Sequence, residues 1–319
     1  MKRYFILILF LSFQPCKGQS DSQNIAFVAY WSIGDSYDFK ITKIKKQWKD
    51  SQLSTHDSTQ YISNFLVIDS TGSTYTIKWT FKQNIIDTYE IPEEIIQRLP
   101  NNGPTEVVYK TTELGQFLGI ENWESLGNMM NNLLNEVIQI IANETNNKSQ
   151  ELLENMKSLI SILGTKEGLE KLIFKELRLI HFPFGTVMYP NKPLKYKDSF
   201  PNMLGGKPMK ANAKISVESV DYDSSECVLQ QEENLDPRDT KKYLKNVIES
   251  LSMDKKEMKS TFKGSKYNVS DRNRYEYYYY PGIPKKIETE RTMIFLIQKH
   301  SQVRVDKIKI ELINKYNVL

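Results

Sequence analysis

The order of its hydrophobic periodicities constrains the fold of this 319-residue chain more than any other feature. In the first and last thirds, apolar residues alternate with polar ones, which is the two-residue period of a strand with one buried face. In the middle third they recur at steps of three and four, the period of an amphipathic helix. This order of strands, helices and strands predicts an α+β fold.

The first third contains a predicted β-hairpin. Segments 60–69 and 75–82 are rich in strand-forming residues, and the turn between them contains Gly72. In the second segment four apolar residues alternate with polar ones: Tyr75, Ile77, Trp79 and Phe81. This segment is expected to have one buried face and one face in solvent. The polar stretch 45–59 is interpreted as a long loop or a hairpin tip.

The middle third predicts three amphipathic helices, at 126–141, 152–163 and 169–180, separated by polar breaks. Methionine and leucine are frequent on their apolar faces. Such a stripe can line a ligand groove, but a helix must bury its apolar face somewhere. We therefore interpret these stripes as core.

The last third repeats features of the first. When Asp69 is aligned with Asp221, the hairpin residue Ile77 falls on Leu229 without a gap. A helix and then a further strand follow each of the two hairpins. We therefore predict two β-rich units, each a β-β-α-β repeat, that form a curved antiparallel sheet.

The predicted domain organisation follows from this repeat. The N-terminal β-rich unit covers 26–120 and the C-terminal β-rich unit covers 187–319, with the three helices as a central insert at 121–186. Within the two units, the helices after the hairpins are predicted at 92–99 and 236–251.

Residues 1–18 have the features of a secretory signal peptide. Two basic residues precede the apolar run 4–13, which is too short to span a bilayer. Gly18 then provides a small residue for cleavage. We predict an exported protein, periplasmic or extracellular, whose mature chain begins with a polar leader at 19–25.

Cys16 provides an alternative to plain cleavage. A bacterial lipoprotein signal ends in a cysteine that receives lipid, after a motif of small residues. The residues before Cys16 are Phe13, Gln14 and Pro15, which match that motif poorly. Lipidation of Cys16 would attach the protein peripherally to a membrane, and this alternative stays open.

Net charge and cysteine content argue against a nucleic-acid partner and an internal disulfide. The formal net charge is +4, and cleavage after Gly18 removes three basic residues, which leaves about +1. Nucleic-acid-binding proteins need a clustered basic excess, so we predict no nucleic-acid partner. The mature chain would keep only Cys227, which excludes an internal disulfide.

The usual motifs for catalysis and cofactor binding are missing from the sequence. There is no G-x-S-x-G, P-loop, dinucleotide-binding or H-E-x-x-H motif. The three histidines, His56, His181 and His300, lack metal-ligand spacing. Cys227 lies in a predicted strand, where a lone cysteine is typically a small buried hydrophobe. We therefore predict no catalytic residue, no metal site, no cofactor and no enzymatic activity.

Carboxylates keep one enzymatic alternative open, because an exported hydrolase needs only two acids at a suitable separation. The repeat marks four aspartates: Asp35, Asp69, Asp198 and Asp221. Aspartate at a turn or at the start of a strand makes hydrogen bonds to nearby backbone. Turn chemistry accounts for these four residues, so hydrolysis is kept only as the alternative.

A run of tyrosines near the C-terminus is the strongest candidate for a binding surface. Five tyrosines occur within six residues, and PGIP ends the run. In a strand, Tyr275, Tyr277 and Tyr279 lie on one face. An exposed aromatic face indicates a partner, whereas a half-buried strand that is aromatic on both faces is the alternative. The predicted binding residues are these three tyrosines together with Trp31 and Trp79.

Three features resemble uncharacterised exported proteins of Gram-negative envelopes: the leader with KGQ, the repeated DSY and DSF, and YKTTELGQF followed by NW. This resemblance implies export and names no activity. A curved sheet that clasps a helix also resembles periplasmic lipid or lipoprotein carriers. We predict a non-catalytic envelope protein that binds a hydrophobic small molecule or an envelope protein partner through an aromatic-rich curved sheet. The alternatives are an exported hydrolase and a structural component of a surface assembly.

Overall fold

The computed structural model describes residues 24–82, 105–144, 165–170, 174–200, 208–250, 265–297 and 300–316. The predicted signal peptide and most of the polar leader lie outside these ranges. So do the helices predicted at 92–99 and 152–163.

One antiparallel sheet of 11 strands dominates the described part of the chain. Its N-terminal strands are β2 (Ser36–Lys49), β3 (Gln52–Ser70), β4 (Thr74–Phe81), β5 (Glu106–Thr112) and β6 (Phe117–Ile120). Its C-terminal strands are β8 (Leu194–Phe200), β9 (Met209–Asp221), β10 (Glu226–Leu235), β11 (Lys266–Tyr278), β12 (Ile283–Ile297) and β13 (His300–Tyr316). Two short strands, β1 (Ile25–Phe27) and β7 (Thr186–Met188), form a separate antiparallel pair.

The sheet consists of two meanders that join in the middle. Strands β2 to β6 each pair with the next strand along the chain, and so do strands β8 to β13. β2 also pairs with β13 along its length, so that Ile41 lies opposite Ile310. The predicted α+β fold, with two β-rich units around a three-helix insert, is therefore wrong. The protein is mainly β, with both halves in one sheet.

The predicted fold is wrong because β2 pairs with β13. Local periodicity identifies a strand but does not identify its partner across a long sequence separation. In two separate units, both strands would expose a long edge of unpaired N–H and C=O groups. When β2 pairs with β13, these N–H and C=O groups form hydrogen bonds, and the two predicted units become one sheet.

Four helices accompany the sheet in the described ranges: α1 (Trp123–Glu144), α2 (Lys166–Gly168), α3 (Lys175–Ile180) and α4 (Pro237–Ser250). The first predicted helix corresponds to α1, whereas the described part of the third, at 169–180, includes the six-residue α3. α4 confirms the helix predicted at 236–251. It starts with proline, and the carboxylate of Asp236 accepts a hydrogen bond from the N–H of Arg238 at 2.9 Å. None of these described helices is long and apolar enough to cross a membrane.

The inner face of the sheet, defined here as the face that carries Phe39, Trp79 and Tyr275, holds the core. Strand β10 shows how the sequence specifies this face, because every second residue from Cys227 to Leu235 is buried and the residues between them are mostly exposed. The larger of two hydrophobic clusters lies against α1, α3 and the segment before β2. The smaller cluster lies between β9, β11 and α4, where it includes Leu244.

The polar stretch at 45–59 is a hairpin tip built from strands. β2 and β3 continue to a tight turn at Asp50 and Ser51, whose φ angles are 48° and 68°. Two successive residues with positive φ match the twist of a two-residue hairpin. Backbone pairing therefore extends this polar segment as strands, although it has no apolar alternation.

Candidate binding surface

Four of the five predicted binding residues lie in the core of the protein. Trp31 is 5% exposed, Trp79 2%, and Tyr275 and Tyr277 1% each. Tyr279 is half-buried. The structure therefore places these aromatic rings against one another and against the core. It does not form them into an exposed face.

The tyrosine run alternates between the two faces of β11. The hydroxyl of Tyr275 donates to the side-chain oxygen of Gln231 at 3.0 Å, and that of Tyr277 donates to the carbonyl of Ile180 at 2.5 Å. Burial raises the pKa of both phenols well above 10. Tyr278 points to the opposite, outer face, where the ammonium of Lys315 lies 3.8 Å from its ring centroid. Most tyrosines of the run therefore form contacts within the fold.

The end of the run reaches the surface. Tyr280 is 62% exposed, and its ring lies 5.2 Å from that of Tyr30, which is 51% exposed. Two further apolar side chains are exposed on adjacent segments, Ile33 at 60% and Leu114 at 37%. We call these four residues the aromatic rim. They lie on the loop 28–35 and on the turns that follow β5 and β11.

Backbone hydrogen bonds hold the loop of the aromatic rim to the neighbouring turns. The N–H of Tyr30 donates to the carbonyl of Pro281 at 2.9 Å, and the N–H of Ala29 donates to that of Leu114 at 3.1 Å. Beneath the loop, the indole N–H of Trp31 donates to the carbonyl of Gly282 at 2.8 Å. Trp31 therefore anchors the loop from inside, while its neighbours present apolar side chains to solvent.

Gly282 allows this close approach of turn and loop. Its φ angle is +88°, and a Cβ at this position would lie 2.5 Å from the carbonyl oxygen of Val28. Only glycine combines that backbone conformation with that contact at low cost. The P-G sequence after the tyrosines thus has a definite role, because it packs the turn against the loop.

The segments of the aromatic rim carry acidic charges only. Loop 28–35 contains Asp35, and the turn after β5 contains Glu113, which is exposed. Neither segment contains lysine or arginine, nor does the turn 279–282. The segments that form the rim are therefore apolar and acidic, and the nearby ammonium groups of Lys285 and Lys315 lie against Tyr278.

His181 lies in the core beneath this surface and is held in its neutral form. Its Nε2 atom lies 2.9 Å from the hydroxyl of Tyr109, and its Nδ1 atom lies 2.8 Å from the carbonyl oxygen of Gly115. Burial lowers its pKa to about 4, partly offset by the hydrogen bond to Gly115. The hydrogen bonds and burial indicate a structural histidine.

A belt of charged residues crosses the inner face between the two hydrophobic clusters. Asp271 accepts two hydrogen bonds from Arg291, at 2.8 and 2.7 Å, in a bidentate pair. Glu233 lies next to them and is 6% exposed. Burial and then the negative charges of Asp198 and Asp271 raise its pKa to about 8. Of these acids, Asp271 is already paired with arginine.

Each of the four aspartates marked by the repeat accepts a hydrogen bond from nearby backbone, Asp35 and Asp221 in turns, Asp69 near the end of β3 and Asp198 within β8. Asp35 accepts from the N–H of Ser32 at 2.9 Å, and Asp221 accepts from the N–H of Asp223 at 3.0 Å. Asp69 and Asp198 each accept from the N–H of the following residue, at 2.9 and 2.8 Å. The contacts of Asp35 and Asp221 are the backbone hydrogen bonds expected from turn chemistry, whereas Asp198 lies within a strand and was not expected there.

The other residues considered for chemistry are separated. His300 pairs with Asp50 at the hairpin tip, 3.3 Å away, and His56 lies on β3. Cys227 is buried, and burial raises the pKa of its thiol to about 12. Across the described ranges, no group of three or more His, Cys, Asp or Glu side chains is arranged to hold a metal ion.

No protein family matches the sequence, and no curated protein matches it. Among solved structures, lipovitellin, studied for its lipid–protein interactions, is similar with a TM-score of 0.40 and 7% identity over 90% of this chain, which spans 26% of lipovitellin. Ail, the attachment invasion locus protein of Yersinia pestis, has a TM-score of 0.16 and 3% identity, with 89% and 100% of the two chains covered. An outer membrane channel from Pseudomonas putida F1 has a TM-score of 0.15 and 6% identity, with 90% and 98% covered.

Because every TM-score lies below 0.5, the similarities carry no inference about what this chain binds. The functional proposals below rest on the geometry of the chain itself.

The sequence contains a signal for part of the aromatic rim. Tyr280 directly precedes Pro281 and Gly282, and a residue at such a turn projects from the end of the sheet. Tyr30 and Ile33 gave no comparable signal. They belong to an apolar run that predicts a buried strand, and only the tertiary structure shows that Trp31 turns inward while they turn outward.

Proposed function

We propose that this chain is an exported, non-catalytic envelope protein that binds a protein partner through the aromatic rim. The observation that carries the proposal is the exposure of Tyr30, Ile33, Leu114 and Tyr280 on segments held together by hydrogen bonds. Rigid, exposed tyrosines provide large contact areas at low cost in conformational entropy, and tyrosine is enriched in the energetic centres of protein interfaces.

The packing of the inner face favours a protein partner over a small hydrophobic molecule. The rings predicted to contact such a ligand already contact one another and the core: Trp79 stacks on Phe39 at 5.9 Å and Tyr275 on Phe182 at 5.0 Å. A ligand at these residues would have to displace core side chains. The rim, in contrast, is exposed in the free protein.

The charges around the rim favour a protein partner over a membrane surface. Bilayers of bacterial envelopes carry negative lipids, which attract basic segments. The rim segments contain Asp35 and Glu113 and no basic residue. A protein with an apolar pocket and basic neighbours would complement both properties of this surface.

In vivo photo-crosslinking tests the proposal. A benzophenone amino acid replaces Tyr280 in the full-length protein, expressed in its native host, and a control protein carries the same group in place of Lys307 on the outer face. We expect a discrete protein adduct from position 280 and none from position 307. Adducts shared by both positions, or none from position 280, would contradict a partner at the rim.

A matched pair of substitutions adds a quantitative test. Ile33→Ser removes an apolar side chain that is 60% exposed at the rim, and Leu53→Ser removes one that is 54% exposed at the hairpin tip. β2 spans the 14 residues between these ends, which is about 40 Å. Ile33→Ser is expected to reduce the adduct yield at position 280 at least about fivefold, and Leu53→Ser to leave it unchanged. Equal effects of the two substitutions would refute the assignment.

A further inference from the structure

The outer face of the sheet has an uneven distribution of charge partners. On β2, β11, β12 and β13, basic side chains lie within ion-pair distance of glutamates. These pairs are Lys40–Glu311 (3.2 Å), Lys309–Glu311 (2.7 Å), Lys307–Glu290 (2.6 Å), Lys286–Glu288 (2.8 Å) and Arg274–Glu218 (3.1 Å). The centre of this face is therefore locally neutral.

The edge of the outer face, at β8 and β9, differs in how its basic side chains are paired. Lys195, Lys197 and Lys214 are exposed, and in the described part of the chain no carboxylate oxygen lies within 4.0 Å of their ammonium groups. Asp236 interacts electrostatically with Lys197, but its carboxylate already accepts a hydrogen bond from backbone. Three positive charges are thus gathered here, and none of them has an ion-pair partner among the residues that the structure describes.

These lysines line a groove of about 390 Å³. The other outward-facing side chains of the groove are two amides and one acid: Asn212, Asn234 and Glu232. The ammonium of Lys197 donates to the side-chain oxygen of Asn212, which fixes one wall. The groove therefore combines positive charge with groups that both donate and accept hydrogen bonds.

The groove continues onto β11. A second hollow shares Glu232 and Asn234 with the first and adds Ser270, Asp271 and Arg272. Together the two hollows cross four neighbouring strands, β8 to β11, which corresponds to about 14 Å. A ligand that uses the whole groove is extended and carries several anionic groups.

We propose that this groove binds an acidic oligosaccharide, a chain of sugar units that carry carboxylate or sulfate groups. The lysines and Arg272 would neutralise the anionic groups, while Asn212, Asn234 and Glu232 would bond to the sugar hydroxyls. Exposed lysines act as point charges on flexible stems and fit anions that are spaced along a chain. This site is on a different face from the aromatic rim and does not depend on the rim's function.

Two other polyanions fit the groove less well. Single-stranded nucleic acid needs rings for base stacking, and Tyr196, the aromatic residue at the groove, points to the inner face, where its hydroxyl accepts a hydrogen bond from Gln231. An anionic bilayer needs apolar side chains that enter the lipid, and the outward-facing side chains of the groove are all polar.

Isothermal titration of the full mature chain with named probes tests this site. The acidic probes are a galacturonate hexamer and a sulfated dextran oligomer, which distinguish carboxylate from sulfate, and maltohexaose is the neutral control. At about 50 mM salt, where surface charges are weakly screened, we expect binding of at least one acidic probe and none of maltohexaose. Tighter binding of poly-L-glutamate, oligo-dT or phosphatidylglycerol vesicles would overturn the ligand class.

Two triple variants with the same change in net charge provide the decisive comparison. Replacing Lys195, Lys197 and Lys214 by glutamine should weaken binding about 30-fold, at roughly threefold for each exposed charge contact. Replacing the ion-paired Lys40, Lys307 and Lys309 by glutamine should weaken it less than about threefold. Thermal melting checks that both variants fold. Equal losses would show attraction by net charge alone, and would overturn the site.

Glu232→Gln is expected to change the affinity for the acidic probe in the opposite direction, toward tighter binding. Glu232 is the acid that the two hollows share, and it lies between the lysines and Arg272, whereas Asp271 of the second hollow is paired with Arg291. Removing its negative charge should tighten binding of the acidic probe about threefold. Weaker binding by this variant would contradict the placement of the anionic groups.

Discussion

Glu233 provides the sharpest prediction of stability, because its carboxyl group is buried next to other acids. It lies on the inner face of β10, 6% exposed, opposite Asp271 on β11. Arg291 is nearby, but it already forms a bidentate pair with Asp271. Burial first, and the neighbouring acids second, raise the pKa of Glu233 to about 8 from an ordinary value of 4.5.

The sign of the pH dependence follows from proton binding. Between pH 4.5 and about 8, the folded protein holds a proton on Glu233, whereas the unfolded chain has lost it. The folded state then binds more protons, so its stability falls as pH rises through this window. At ~1.4 kcal/mol for each pH unit of difference, the loss is about 3 kcal/mol at pH 7 and about 4 kcal/mol at pH 8.

Glu233→Gln removes this dependence, since glutamine has nearly the same shape as the protonated acid and does not ionise. The variant should match wild type at pH 4.5, and should be more stable by about 3 kcal/mol at pH 7 and about 4 kcal/mol at pH 8. Urea denaturation, followed by tryptophan fluorescence at these three pH values, measures the difference. Glu232→Gln, at an exposed position on the outer face, should change stability by less than about 0.5 kcal/mol throughout.

The result that refutes this reasoning is a stability difference that does not change with pH. A Glu233→Gln variant less stable than wild type at pH 8 would also refute it, because the buried charge would then contribute favourably. The difference between variant and wild type is the quantity to compare. Other groups, including His181, add their own pH dependence equally to both proteins.

Three further predictions concern the core beneath the aromatic rim. The pKa of His181 is lowered to about 4 from 6.5. The stability of the protein should therefore fall by about 3 kcal/mol as pH drops from 6.5 to 4. Urea denaturation of the His181→Gln variant should show that this pH dependence is gone. Gly282→Ala should lower the stability by about 2–4 kcal/mol, because alanine is strained at positive φ and would clash with a backbone carbonyl. Gly72 has open space around it, so Gly72→Ala should leave the stability nearly unchanged. Thermal melting measures both variants. Tyr277→Phe removes the hydrogen bond to α3 and should cost about 1–2 kcal/mol in chemical denaturation; no loss would contradict a structural role for that hydroxyl.

The sequence predicted individual strands of this fold better than their arrangement. The hairpin of β3 and β4 and the buried alternation of Ile77 and Trp79 were confirmed, because a two-residue period is a local consequence of strand geometry. The predicted α+β class was wrong, because it depended on which strands pair. The contact of β2 with β13 joins residues about 270 positions apart, such as Ile41 and Ile310, and no local pattern specifies such a pairing.

The binding surface was less predictable than the strands. An aromatic residue on a strand looks the same in the sequence whether it is buried or exposed, because tyrosine suits both environments. Tyr275 and Tyr277 are buried because β11 is an interior strand of the sheet and lies under α3 and Phe182. Tyr280 is exposed because the strand has ended. Position in the fold, and not residue type, separates them.

By itself, the sequence determined which residues alternate toward a buried face in strands such as β4, and where turns such as the one at Gly282 must form. These features follow from steric preference and hydrophobic burial within a few residues. The tertiary structure alone decided that the two halves share one sheet, that Tyr30 and Tyr280 meet at its end, and that Lys195 and Lys214 line one groove. Each of these depends on contacts between distant segments, whose free energy appears only when the whole sheet has formed.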